Sequence, residues 1–163
     1  MENALDNIFS EQQNSITGEE SSQGLKNELG LTFLLEGALF FSSIHSVKEV
    51  IEFKEIIPYP RKVMGHVGVI NLRGKIIPIL CPICPKKKQD NSCKLSDLEN
   101  SLDKRIVVFE TTEKKVFGVV VNNVRKTKVE CYPDEDTKKE EIIDIDGRPH
   151  RYFIPDLVVA ELN

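Results

Sequence analysis

From about residue 30 onward, short apolar runs separated by turn residues dominate the chain. LTFLL and ALFFSSI flank Gly37, HVGVI and KIIPIL flank NLRG, and RIVVFET and KVFGVVVNNVRK flank the TEKK region. Runs of this length that are rich in β-branched and aromatic residues are typical of strands, and glycine between two runs is typical of a hairpin turn. The pattern therefore predicts a mainly β protein, a barrel or a sandwich of many short strands.

Three stretches fit this pattern less well. HSVKEVIEF is compatible with a short helical turn or with an irregular strand, and its spacing does not separate the two. Pro58 and Pro60 make IIPYPRKVMG a connection rather than a central strand. Pro78 directs the KIIPIL strand to a sheet edge or to a bulge.

The C-terminal part contains two further local signals. Asp146-Gly147 lies between two apolar runs, which is a strong hairpin signal. PDLVVAEL is compatible with a closing helix that begins near Pro155, because proline is well tolerated in a first helical turn.

The N-terminal segment differs from the rest of the chain. Residues 1–27 are rich in Ser, Gln, Glu and Gly and have few side chains to bury, so we predict a disordered acidic segment there and a folded domain over 28–163. The first 28 residues carry six acidic side chains and one basic one, a formal charge of −5. Because the whole chain has a formal net charge of −4, the remaining residues together carry a charge near +1. This balance argues against a nucleic-acid partner.

Neither a membrane span nor a secretory signal is visible. No apolar run approaches the ~18 residues that a spanning helix needs, and the acidic N-terminus lacks a basic-then-apolar signal pattern. We therefore expect a cytoplasmic protein without direct membrane insertion.

Cysteine supplies the only metal-like spacing. Cys81-Pro-Ile-Cys84 is a C-x-x-C, which suits two thiolates on one zinc ion or a redox disulfide, and Cys93 follows nine residues later. A zinc site would need two further ligands; a second C-x-x-C is missing, and Cys131 and His66 are the remaining candidates. A redox C-x-x-C usually lies at the start of a helix, which Pro85 disfavours here. Ordinary thiols are the favoured interpretation, and we predict no cofactor.

The usual enzyme motifs are absent from the sequence. It contains no phosphate-binding loop, no H-E-x-x-H, no G-x-S-x-G and no dinucleotide fingerprint, and its three histidines are scattered. In NLRG, Gly74 permits a positive φ, Asn71 can bond to backbone groups of the turn, and Arg73 lies at the hairpin tip. Arg73 is either exposed or held by a carboxylate in a bidentate pair, for which Glu49 is one of several possible partners.

Two separated segments together resemble a known family. SVKEVIEF, a proline-containing connection and GHVGVINLRGKIIPIL match the V-x-E-V/I and G-x-x-N-L-R-G-x-x-x-P hallmarks of the CheW-like domain of bacterial chemotaxis. RIVVFETTEKKVFGVVVNNV and IDIDGRPHRYFIPDLVV resemble the family's later strands and closing elements. The resemblance extends over about residues 29–162, with CPIC as a departure from the usual D-L-R.

The resemblance implies a particular fold. It is that of two small five-stranded SH3-like β-barrels packed together, with a short C-terminal helix. The first subdomain would span about 28–88 and the second about 104–155, with strand exchange between them.

The resemblance also implies a non-enzymatic adaptor. Such proteins couple chemoreceptors to the histidine kinase CheA in membrane-associated arrays, through the receptor's cytoplasmic signalling tip and the kinase's regulatory domain. In the family the motif's Arg and Glu, here Arg73 and Glu49, are thought to pair beside a receptor-facing groove between the barrels. The positions implied for receptor and kinase coupling are Val47, Glu49, Gly68, Asn71, Leu72, Arg73 and Gly74.

Two alternatives stay open. A metal- or redox-responsive CheW-like module would keep the fold and use Cys81 and Cys84, with Cys93 as a further weak ligand candidate. A small β-barrel enzyme or ligand-binding protein would instead have a deep pocket with convergent polar groups.

Overall fold

The strands form where the apolar runs predict them. The computed structural model describes residues 26–83, 103–131 and 142–162. The strands are β1 (Lys26–Leu35), β2 (Ala38–Ser43), β3 (Val47–Glu52), β4 (Ile57–Val63), β5 (His66–Leu72), β6 (Lys75–Leu80), β7 (Lys104–Glu110), β8 (Val116–Cys131), β9 (Ile142–Ile145) and β10 (Arg148–Tyr152). A 3-10 turn over Ile44–Ser46 precedes β3, and helix α1 covers Pro155–Leu162.

Three hairpins close through two-residue turns whose residues both have positive φ. They are Glu36-Gly37, Arg73-Gly74 and Asp146-Gly147, with φ between 48° and 82°. This backbone matches the right-handed twist of paired strands, and glycine adopts it without a steric penalty at the second position. The predicted hairpins at these three glycines are therefore confirmed.

All ten strands described hydrogen-bond into one network around the long strand β8. The order is β4-β5-β6-β8-β1-β2-β10-β9, and β7 pairs with both β3 and β8. The N-terminal half of β8 pairs with β7 up to Asn122, and its C-terminal half pairs with β1 from Asn122 to Cys131. We call β3–β7 with the first half of β8 the first barrel, and β1, β2, β9 and β10 with the second half the second barrel.

Strand β7 explains how the two barrels pack. Ile106 and Val108 face the core of the first barrel, whereas Val107 and Phe109 face a second apolar cluster between the barrels. All four are 0% exposed. Because successive side chains of a strand point to opposite faces, a continuous apolar run is what a strand buried on both faces requires.

The cluster between the barrels is rich in phenylalanine. Phe33 from β1, Phe109 from β7, Phe117 from β8 and Phe153 before α1 are all buried there. The rings of Phe109 and Phe153 stack with centroids 4.7 Å apart, and Phe33 meets Phe153 edge-on at 5.5 Å. A separate small core around Phe41 and Val129 fills the second barrel.

The predicted fold class is confirmed: the protein is mainly β, with SH3-like barrels and a short C-terminal helix that begins at Pro155. The subdomain limits 28–88 and 104–155 stay a prediction. Across these predicted limits, the sheet order places β1 beside β8 and β2 beside β10, and β7 pairs with β3.

Three local expectations differ from the structure. IIPYPRK is an edge strand rather than a connection, because an edge position needs no N–H from Pro58 or Pro60 on its open side. The expectation for Pro78 is half right: β6 lies between β5 and β8 and is not at an edge, but a bulge interrupts the β5–β6 ladder between His66 and Gly68, next to the pair that Pro78 forms with Val69. On its other side β6 meets β8 through a single described bridge, Ile79 to Gly118. The predicted N-terminal segment, residues 1–27, overlaps the first two residues of β1, which begins at Lys26, and residues 1–25 lie outside the described part.

Candidate functional site

The site begins at the tip of the β5–β6 hairpin. Leu72 pairs with Lys75, so Arg73 and Gly74 alone form the turn, with φ of 52° and 81°. The Gly74 N–H donates to the Asn71 side-chain oxygen at 2.9 Å, which confirms the predicted cap. The capped turn holds Arg73 at a fixed place on the tip.

Arg73 makes a bidentate ion pair with Glu49 of β3. Its two terminal nitrogens donate to the two carboxylate oxygens at 3.2 and 3.0 Å. The Arg73 side chain is 76% exposed and that of Glu49 only 24%. The pairing left open among several acids is therefore confirmed for Glu49, and it ties the tip of β5–β6 to β3.

A β-bulge sets the position of Glu49. Val47 pairs with Phe109 and Glu49 with Val108, so one extra residue, Lys48, lies between two consecutive positions of β7. Bulges of this kind change the direction of side chains and increase local twist. Here Lys48 and Glu49 both line one groove, whereas Val47 packs on the cluster between the barrels.

The groove beside the ion pair has a volume of about 520 Å³. Its lining comes from the first barrel alone: Lys48, Glu49, Leu72, Arg73, Lys75, Ile76, Ile77, Val108, Lys114 and Val116. Leu72, Ile77 and Val108 form a buried apolar floor, and Ile76 is 62% exposed at its edge. Cations dominate the rim, because Glu49 is the only acid in the lining.

Glu110 organises two of these cations. Its carboxylate oxygens accept from Lys48 and Lys114, each at 3.1 Å. The hydrogen bond from Lys48, followed by that from Lys114, holds the pKa of the Glu110 carboxyl below its ordinary value of 4.5. The two lysines are thereby held at the rim beside the apolar floor.

The other predicted site residues have structural surroundings. Leu72 is 8% exposed in the first barrel's core. Gly68 is buried on β5, where a side-chain carbon would overlap the carbonyl oxygen of Ile57. Leu72 also lines the groove, whereas Gly68 and Val47 lie outside its lining.

Sequence reasoning missed part of the lining, namely Lys48, Lys75, Ile76, Ile77, Val108, Lys114 and Val116. One signal for Ile76 was available. Two consecutive isoleucines in a strand face opposite sides, so one of the pair Ile76-Ile77 leaves the first barrel's core and faces either solvent or a second apolar surface. The lysines carry no such signal, because lysines in turns are common on any surface.

The cysteine motif is only partly visible. Cys81 is 8% exposed and packs in the first barrel's core, while Cys84 and Cys93 lie outside the described residues. Within residues 26–83, 103–131 and 142–162, no group of three or more metal-ligating side chains lies together. The metal hypothesis therefore stays untested. In the same ranges, none of the helices has the length and apolar character to cross a membrane.

Two packed barrels with a salt-bridged hairpin tip beside an apolar groove define a double β-barrel domain. The family model of the CheW-like domain matches residues 29–129, and the chain belongs to this family. The match includes the whole first barrel and the strand that it shares with the second.

A solved structure supports the fold independently. The crystal structure of the scaffolding protein TtCheW from Thermoanaerobacter tengcongensis is similar with a TM-score of 0.61 and 23% sequence identity, over 82% of this chain and 88% of that one. No curated protein sequence matches the chain.

Proposed function

We propose that this protein is a non-enzymatic chemotaxis adaptor that couples chemoreceptors to the histidine kinase CheA in a membrane-associated array. Its family membership supports an adaptor role in chemotaxis. The observation that carries the proposal is the Arg73–Glu49 pair, which lies at the motif positions of the family and borders an apolar groove.

The groove suits a helical partner. Leu72, Ile77 and Val108 offer an apolar floor, and the exposed Ile76 extends it outward. An amphipathic helix binds such a groove by laying its apolar face on the floor. We propose that the cytoplasmic signalling tip of a receptor is this helix, with Arg73 fixed by Glu49 at the edge of the contact.

The edge strand β4 is the proposed surface for the kinase's regulatory domain. Ile57, Val63 and Met64, at 57%, 50% and 66%, are among the most exposed large apolar side chains described. They lie on and directly after a strand whose outer edge pairs with no other strand among the residues described. An apolar surface of this kind beside an open edge favours binding to another protein.

Binding of the two partners to an Arg73→Ala variant tests the proposal. We expect the affinity for a receptor signalling-tip fragment to fall about tenfold, which corresponds to about 1.4 kcal/mol. Because Arg73 is 76% exposed, we expect the free energy of unfolding to change by less than about 1 kcal/mol. Calorimetric titration and urea denaturation measure the two quantities.

Arg151→Ala is the matched control. Arg151 is an exposed arginine of β10 in the second barrel and does not line the groove. The Arg151→Ala substitution should leave the affinity for the receptor fragment unchanged. Wild-type receptor binding by Arg73→Ala together with a large loss of stability would show that the arginine is structural and would contradict the proposal.

A further inference from the structure

The second barrel has an unusual inward face on strand β8. Val129 packs in this barrel's small apolar core, and Thr127 and Arg125 follow at two-residue spacing on the same face of the strand. Thr32 of β1 pairs directly with Arg125, and its hydroxyl lies 3.4 Å from that of Thr127. Thr32 and Thr127 therefore occupy positions that small barrels usually fill with apolar side chains, and the exposed Arg125 lies beside them.

These side chains line a cavity of about 350 Å³. The strands β1, β2, β8, β9 and β10 and the β9–β10 turn contribute to it. Leu34, Leu39 and Ile145 give it an apolar wall, and Arg125 and Arg148 approach it from β8 and β10. The volume lies within the range of small-molecule sites, which combine an apolar lining with a few polar groups.

The two arginines are available to a ligand. No ion pair joins either guanidinium to a carboxylate within the described ranges, although Asp146 also lines the cavity. Guanidinium groups bind phosphate and carboxylate through paired parallel hydrogen bonds. The two guanidinium groups beside the Thr127 hydroxyl form a donor set for anionic oxygens, whereas the Thr32 hydroxyl already donates to the Arg125 carbonyl oxygen at 3.4 Å.

His150 adds a buried donor or acceptor to the same cavity. It is 5% exposed and lines the cavity, and its Nδ1 lies 2.9 Å from the Arg148 carbonyl oxygen. A carbonyl only accepts, so Nδ1 carries the proton. With the proton on Nδ1, Nε2 of a neutral ring is an acceptor, so His150 contributes to the cavity wall and not to its donors.

We propose that this cavity binds a small organic anion, with its phosphate or carboxylate group between Arg125 and Arg148 and its less polar body against Leu34, Leu39 and Ile145. The Thr127 hydroxyl, which lines the same cavity, completes the polar contacts. The site goes beyond the adaptor function, and none of its lining residues lines the groove beside Arg73. Its failure would therefore leave the adaptor proposal unaffected.

Phenyl phosphate, benzoate and benzyl alcohol separate the possible chemistries. They share an aromatic body and carry a phosphate, a carboxylate or no charge. Each compound is titrated into the full chain while the amide chemical shifts are followed by NMR. At least one anion should bind, with the largest shift changes at Thr32, Arg125 and His150. Benzyl alcohol should bind at least about tenfold more weakly than that anion, because it offers the arginines no charge.

Two variants and a control connect binding to the arginines. Arg125→Gln and Arg148→Gln should each lower the affinity for the anion that binds about tenfold. Arg151→Gln removes the same charge from β10, three residues from Arg148 and outside the cavity lining, and should have no effect. Because all three arginines are exposed, the variants are expected to fold, which their amide spectra verify. No anion binding at millimolar concentration, equal binding of benzyl alcohol, or insensitivity to both variants would each overturn the proposal.

Discussion

Arg73 combines an unusual backbone with an exposed ion pair. A positive φ is uncommon for a residue with a side chain, and here the two-residue turn requires it. The adjacent Gly74 and the Asn71 cap support this conformation, so the guanidinium approaches Glu49 from a fixed direction. The pair therefore positions a charge, and a large contribution to stability is not expected at 76% exposure of Arg73.

A double-mutant cycle on Glu49 and Arg73 measures this pair directly. We expect Glu49→Ala and Arg73→Ala to be non-additive in the free energy of unfolding, with a coupling of about 0.5–1 kcal/mol. Urea denaturation of the wild type, both single variants and the double variant provides the four values. Additive effects would show that the two side chains contribute independently.

Glu110 gives a pH-dependent prediction. Its pKa is lowered in the folded protein, so its ion pairs stabilise the fold above the unfolded-state pKa, and this contribution is lost as the pH falls from about 4.5 through the folded pKa. Carbon-detected NMR titration should place the Glu110 carboxyl below its ordinary value. Lys48→Ala should raise the pKa of the Glu110 carboxyl, since the hydrogen bond from Lys48 is the largest cause of its lowering. An unchanged titration in that variant would contradict this assignment.

The hairpins are the elements that local sequence defines best. Asn71 caps Gly74 and Asp144 caps Gly147 in the same way, each with a side-chain oxygen 2.9 Å from the glycine N–H. Both pairs have a three-residue spacing and need no contact from elsewhere in the molecule. This is why the turns at Gly74 and Gly147 were predictable from the sequence.

Gly68 tests how closely β4 and β5 approach. A Gly68→Ala side chain would overlap the Ile57 carbonyl, which is backbone of the paired strand, so we expect a loss of about 1–3 kcal/mol in the free energy of unfolding. In Gly118→Ala the new carbon would meet side-chain atoms of Ile79 at 2.7 Å and Ile106 at 3.0 Å.

The comparison of the two variants is the control. Side-chain ends yield more readily than backbone, so Gly118→Ala should be the less damaging substitution in urea denaturation. Equal losses, or a larger loss at Gly118, would show that the β4–β5 approach is not the limiting contact.

At the scale of the whole molecule, β8 joins the two barrels covalently and through hydrogen bonds. Its first half pairs with β7, and its second half pairs with β1. The phenylalanine cluster packs residues of both barrels around this connection. We therefore expect the described barrels to unfold together as one cooperative unit.

Phe109→Ala tests this cooperativity. Phe109 is 0% exposed between the barrels, and its truncation should lower the free energy of unfolding by about 3–5 kcal/mol. Far-UV circular dichroism and calorimetry should still give one coincident transition at a lower temperature. Phe40 is only partly buried at the margin of the same cluster, so Phe40→Ala should lower the free energy of unfolding by less than Phe109→Ala does. Two separate transitions in either variant would argue for independent barrels.

Much of the fold could be predicted because its signals are local. Alternation and β-branched runs indicated the strands, glycines indicated the turns, and Pro155 indicated the start of α1. The family motif singled out Arg73 and Glu49 before their contact was known. By contrast, the edge strand β4, with its two prolines, could not be predicted from its residues IPYPRKV. The residues of a strand do not specify which strands lie beside it.

The sequence by itself determined the strands, the hairpin turns and the residue types of the motif, since these depend on backbone sterics and on contacts within a few residues. Only the tertiary structure decided that β1 and β7 each pair across the chain, that Lys48 and Lys114 meet at Glu110, and that Arg125 and His150 line one cavity. Those arrangements depend on the packing of segments far apart in sequence, because strand pairing is selected by the burial of both faces of β7 and β8 together.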